Sequence, residues 1–129
     1  MAVKRKAIRT KKAAAFNLPF SQGIKAGNLV FVSGQCPTDP KTGQLVRGGI
    51  AEQTRQTMKN IGAILQAAGS SFDNGVKATV FITDIKDFAG MNAVYKTFFK
   101  KEPPARSTIE VGALALKGAK VEIEMVAVV

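Results

Sequence analysis

Between residues 76 and 83 the chain alternates: Val76, Ala78, Val80 and Ile82 are apolar, while Lys77, Thr79, Phe81 and Thr83 form a mixed set. A period of two predicts a β-strand with one buried face, because successive side chains of a strand point to opposite sides. Upstream, Thr54, Met58, Ile61, Leu65 and Ala68 recur at three- and four-residue spacing, with Glu52, Arg55, Gln56 and Lys59 on the other side. That is the pattern of a helix with one face in the core, and Gly69 supplies its stop. A second helix is predicted after a cap at Asp84 or Asp87, with Phe88, Met91, Val94, Tyr95 and Phe98 as its apolar members and Pro103 and Pro104 ending it. The run Leu29, Val30, Phe31, Val32 follows a Gly27/Asn28 turn and reads as the buried arm of a hairpin beginning at Ile24. Strands are predicted over 105–112 and 119–128. Residues 3–10 alternate only loosely, as a marginal strand or a disordered arm, and 17–22 and 34–49 read as loops by their proline and glycine content.

The resulting order, β-β-α-β-α-β-β with a further strand at the N-terminus if residues 3–10 pair, predicts an α+β fold: a mixed sheet with two helices packed on one face. The other face carries Val126 and Val128 among other apolar residues, which in water would form a patch of the kind that signals association, so an oligomer is expected. One domain spanning 1–129 is expected, residues 1–12 being a basic arm or edge strand, and 46% apolar content is enough for its own core. No apolar run approaches the ~18 residues that cross a bilayer, and no secretory pattern follows the basic start. A soluble, cytoplasmic protein with no membrane partner is expected, or a mitochondrial one if the basic start is a targeting segment.

Composition narrows the chemistry. With no histidine and a single cysteine, Cys36, the usual zinc-ligand patterns and Ser/His/Asp or Cys/His catalysis are excluded, and no cofactor or metal is expected. Cys36 itself reads as an inert loop or core residue. The charge is lopsided: 19 basic and 9 acidic residues give +10, and Lys4, Arg5, Lys6, Arg9, Lys11 and Lys12 crowd the first twelve positions. Such an arm suits phosphate contacts, targeting or plain solvation.

In the strand over 105–112, Arg106, Thr108 and Glu110 share one face; in the last strand Glu122 and Glu124 do. An antiparallel turn centred near Ala115 would set Thr108 across from Glu122 and Arg106 across from Glu124. A guanidinium, a hydroxyl and two carboxylates on one ribbon make either a surface charge ladder or a site that binds a small carboxylate and directs water at it.

Four segments, LPFSQGIKAGNLVFVSGQCPTDPKTGQLV (18–46), VKATVFITDIKDFAGMNAVYKTFF (76–99), PPARSTIEV (103–111) and KVEIEMVAV (120–128), resemble the RidA/YjgF family of reactive-intermediate deaminases in order and spacing. The resemblance implies a chorismate-mutase-like subunit, a homotrimer with sites between subunits, and hydrolysis of small 2-imino or enamino acids to 2-keto acids and ammonia. By the same resemblance Arg106 matches the residue that grips the substrate carboxylate and Glu122 the one that positions water. A register slip would bring Glu124 inward instead. Ser33 and Gly34 match the backbone that meets substrate, Asn92 and Tyr95 match recurrent positions, and Thr108, where the family often has cysteine, is expected to help Glu122 hold the attacking water through its hydroxyl. Phe20 falls where many members have tyrosine in Gly-Pro-Tyr-Ser, so an aromatic wall remains without its hydroxyl. The partners implied are 2-imino and 2-keto carboxylates. Other members are described as ribonucleases or translation inhibitors, which makes non-specific RNA binding through the basic surface the alternative, and a binding or chaperone-like scaffold a third reading.

Overall fold

The computed structural model describes residues 2–129; Met1, the first position of the expected domain and arm, lies outside them. The strands are β1 (Arg5–Ile8), β2 (Gly23–Ala26), β3 (Leu29–Gln35), β4 (Gly75–Ile82), β5 (Ala105–Glu110) and β6 (Val121–Val128), and the helices are α1 (Ile50–Ala67) and α2 (Phe88–Tyr95). They build one mixed six-stranded sheet in the order β1-β2-β3-β6-β4-β5 with two helices, the α+β class that the patterning predicts. The loosely alternating N-terminal residues form an edge strand, β1, antiparallel to β2, with Lys6 directly opposite Lys25.

Ala26 pairs with Leu29, so the β2–β3 turn has Gly27 and Asn28 as its two central residues. Gly27 takes φ 60°, the left-handed backbone that such a turn demands of its first central residue and that glycine adopts without a Cβ clash. At the start of α1 the Glu52 carboxylate accepts the Gly49 N–H at 2.8 Å, half of a capping box. The inward stripe of α1, Thr54, Met58, Ile61, Ile64 and Leu65, is fully buried and packs on β3 and β6. Facing it are Val30, Val121, Ile123 and Ala127, also fully buried. α2 packs against α1 and adds Met91 and Tyr95 to the same core.

The far side of the sheet has no helix over it. Phe31, Ile109 and Val128 on that side are 44%, 46% and 37% exposed, interspersed with Lys77, Thr79 and Glu124. Among the described residues no helix is long and apolar enough to cross a membrane.

The predicted pairing of the last two strands is corrected by the structure. β5 does not pair with β6; β4 lies between them, parallel to β5 and antiparallel to β6. The reason is the connection through α2, since a strand, helix, strand crossover returns the chain parallel to its start. Residues 111–120 then cross over β4 instead of forming a tight hairpin. Arg106 accordingly pairs with Ala78 and Thr108 with Val80, on the helix-covered face, whereas Glu122 pairs with Phe81 and Glu124 with Thr79, on the open face. Neither Arg106 nor Thr108 lies across from a glutamate, and within the chain the two sets are separated by the sheet.

Candidate active site

The open face carries a cleft of about 590 Å³ where the end of β3 meets β6. A bulge shapes it. Val32 pairs with Met125 and Gln35 with Ile123, so Ser33 and Gly34 together oppose Glu124 alone. The extra residue bends the strand and lifts its backbone out of the ladder. Glu122 stands against this bulge. A Cβ on Gly34 would collide with the Glu122 carboxylate and lie 3.0 Å from its Cδ, so only glycine lets the backbone and the carboxylate come this close.

Three polar side chains hold the walls. The Gln22 carboxamide accepts the Thr10 N–H at 2.7 Å and donates to the Ala14 carbonyl at 2.9 Å, fixing the N-terminal segment whose Phe16, with Leu18 and Phe20 beyond it, forms the apolar side of the cleft. Ser33 donates through its hydroxyl to the Ser21 carbonyl at 2.5 Å and tethers the loop that carries Phe20. From α1, the fully buried Asn60 donates to the carbonyls of Cys36 and Thr38 at 3.2 and 2.9 Å. That places Cys36 in register with Glu122, and its thiol donates to Glu122 Oε1 at 3.2 Å. Burial, then the charge of Glu122 and this hydrogen bond, push the Cys36 thiol up from an ordinary 9.0 to about 12. Cys36 is therefore a protonated donor at neutral pH and a poor nucleophile.

Arg106 occupies a second cluster on the other side of the sheet. Its guanidinium stands 4.8 Å from the Tyr95 ring centre and 5.8 Å from that of Phe88, and Nη1 lies 4.0 Å from Met91 Sδ. Burial raises the Tyr95 phenol's pKa, and the Arg106 charge works against it. The guanidinium carbon stands over the ring, and among the described residues the Tyr95 hydroxyl has no hydrogen-bond partner. The Thr108 hydroxyl is likewise buried and unpartnered. Asn92 lies next to Met91 on α2, half-buried.

Of the residues singled out in the sequence, Phe20, Ser33, Gly34, Glu122 and Glu124 meet in the open-face cleft, while Arg106, Thr108 and Asn92 do not. Glu122 is the half-buried carboxylate against the bulge and Glu124 the exposed one. The contact of Cys36 with Glu122 spans 86 positions and leaves no local pattern to read. The supports at Gln22 and Asn60 carry no sequence signal either: a half-buried glutamine in a loop and a buried asparagine at helical spacing look like any polar position until their carbonyl partners are seen. Among the described residues no three Cys, Asp or Glu side chains gather closely enough to hold a metal ion.

The model of the family described as Endoribonuclease L-PSP matches residues 10–129. The chain belongs to the RidA/YjgF/L-PSP family. It is 47% identical over 124 residues to the 2-iminobutanoate/2-iminopropanoate deaminase of Mus musculus, covering 96% of this chain and 91% of that one. Among solved structures it resembles Escherichia coli TdcF with bound serine, at TM-score 0.91 and 42% identity over 96% of this chain and 98% of that one. The Escherichia coli YjgF gene product follows the same fold, at TM-score 0.90 and 44% identity over 95% and 98% of the two chains. The mixed sheet with two helices is thus the YjgF-like fold, and in this family member it carries the bulge, the cleft and the Arg106 cluster.

Proposed function

We propose that this protein hydrolyses small 2-imino acids to 2-keto acids and ammonia, in sites completed by a neighbouring copy within a homotrimer. The observation that carries this reading is the division of one chemical outfit between two faces of the sheet. Glu122, beside a bared stretch of backbone at Gly34, can take a proton from water; Arg106 has the fork of donors that suits a carboxylate. A second copy docked on the open face would bring its own Arg106 cluster to the first copy's cleft. The uncovered apolar positions there supply the reason to dock. Relatives named as deaminases of 2-iminobutanoate and 2-iminopropanoate, and a structure of TdcF holding serine, which is itself a small carboxylate, support the substrate class.

An imine conjugated to a carboxylate is already electrophilic, so the protein's part is orientation and a placed water. Arg106 binds the carboxylate in a bidentate pair, and the Glu122 carboxylate removes a proton from water as its oxygen bonds to the imine carbon. With the imine nitrogen protonated, the addition gives a neutral carbinolamine; Glu122 returns its proton to that nitrogen, the C–N bond breaks, and the hydroxyl proton passes to the departing ammonia, leaving the 2-keto acid and ammonium. Cys36 holds Glu122 Oε1, the Gly34 backbone approaches the reacting carbon, Phe20 walls the pocket, and Asn92 and Thr108 flank Arg106.

The test couples the protein to a dehydratase that releases 2-iminopropanoate or 2-iminobutanoate and follows keto-acid formation. We expect acceleration by the wild type and a loss on the order of a hundredfold in Arg106→Ala, since charged hydrogen bonds are removed. Equal rates with and without the wild-type protein would reject the reading.

A further inference from the structure

Phe88, Met91 and Tyr95 recur at i, i+3 and i+7 along α2 and all three reach one side chain, the Arg106 guanidinium. Such a stripe ordinarily points into the apolar core, and Met91 and Tyr95 belong to it, yet here the stripe also meets a charge. Tyr95 is 5% exposed, so its ring is a fixed wall, whereas Phe88 is 40% exposed and closes the outer side. An aromatic face attracts a cation without using its N–H groups, because the ring quadrupole acts through the face while the donors lie in the guanidinium plane. A carboxylate partner from the same chain would have occupied those donors. Among the described residues the guanidinium's hydrogen-bond-distance contact is the Met91 sulfur at 4.0 Å, a weak acceptor.

We infer that the Phe88–Met91–Tyr95 stripe of α2 is a cradle that sets the plane of the Arg106 guanidinium while leaving its donor edge open to a planar carboxylate, with Tyr95 acting as a positioning residue through its ring. The inference rests on the deaminase reading for the identity of that carboxylate, not for the cradle itself. It assigns the buried Tyr95 ring a part in binding and gives α2 a role beyond filling the core. The ring and not the hydroxyl is assigned this part, because the guanidinium carbon stands over the ring while the hydroxyl is without a hydrogen-bond partner among the described residues.

Two variants separate the ring from the hydroxyl. Tyr95→Phe keeps the face and removes only an unpartnered oxygen; Tyr95→Leu keeps apolar bulk and removes the face. Binding of 2-oxobutanoate by calorimetry and the KM and kcat for the imine are measured on each, after circular dichroism and assembly mass match the wild type. The expected result is Kd and KM raised by about tenfold in Tyr95→Leu with kcat changed far less, and both constants within about twofold of wild type in Tyr95→Phe. The Arg106 Nε–H resonance, assigned by its loss in Arg106→Lys, provides a readout that needs no substrate. It is expected to be ring-current shifted in the wild type and in Tyr95→Phe, and to return to the ordinary arginine position in Tyr95→Leu. An unshifted resonance in the wild type, an unchanged Kd in Tyr95→Leu, or an equal loss in both variants overturns the cradle. A wild type that shows the shifted resonance and binds 2-oxobutanoate but does not accelerate imine loss sinks the deaminase reading and leaves the cradle standing.

Discussion

Glu122 is held from two sides, by the Cys36 thiol at 3.2 Å and by the bulged backbone at Gly34, and both contacts depend on atoms that most substitutions would remove or add. The thiol has a consequence for stability. Its pKa in the fold is about 12 against an ordinary 9.0, so between these values the unfolded chain has lost a proton that the folded chain keeps. Stability contributed by the protonated thiol is therefore fully present below pH 9 and lost as pH rises toward 12. Thermal melts from pH 7 to 10.5 should show the wild type losing more stability above pH 9 than Cys36→Ala does. Parallel curves for the two proteins would show that the thiol is not held protonated.

At the scale of elements, the site depends on segments that belong to no strand. The loop after β3 is anchored by one amide, Asn60 on α1, which bridges two carbonyls from within the core. Removing it leaves buried acceptors without partners, so Asn60→Ala is expected to destabilise by roughly 2–4 kcal/mol in denaturant unfolding. The same change frees Cys36 to leave Glu122, so the imine turnover of the folded fraction should also fall. A variant with wild-type unfolding midpoint would mean that the loop is held by packing alone. The N-terminal segment behaves similarly, since its tie to Gln22 sets where Phe16 stands.

At the scale of the whole molecule, the chain presents half of the proposed site on each side of its sheet. If sites form between copies, Arg106→Ala and Glu122→Gln subunits are each inactive but complement one another. Co-refolding them in equal amounts should restore about one quarter of wild-type sites, the share that pairs an intact arginine with an intact glutamate across an interface. A mixture that forms mixed trimers by native mass spectrometry yet stays inactive would reject a site shared between copies. A sedimentation mass of a single subunit at micromolar concentration would remove the interface altogether.

Local patterning determined the elements: side-chain spacing marked both helices, the alternating strand at 76–83 and the helix-covered face, and the Gly27/Asn28 turn residues marked the hairpin. The motif around Arg106 and the final strand likewise carried the family resemblance without coordinates. What only the tertiary structure decided was partnership. The same alternation that puts Arg106 and Thr108 on one face of β5 is silent about which strand lies alongside, and the insertion of β4 sent that face to the helices while Glu122 and Glu124 faced the open side. The thiol beside Glu122, the amides behind the loops and the aromatic stripe under the guanidinium lie beyond sequence reading for the same physical reason. Their contacts join positions far apart in the chain, and local patterning constrains which way a side chain points but not what it meets.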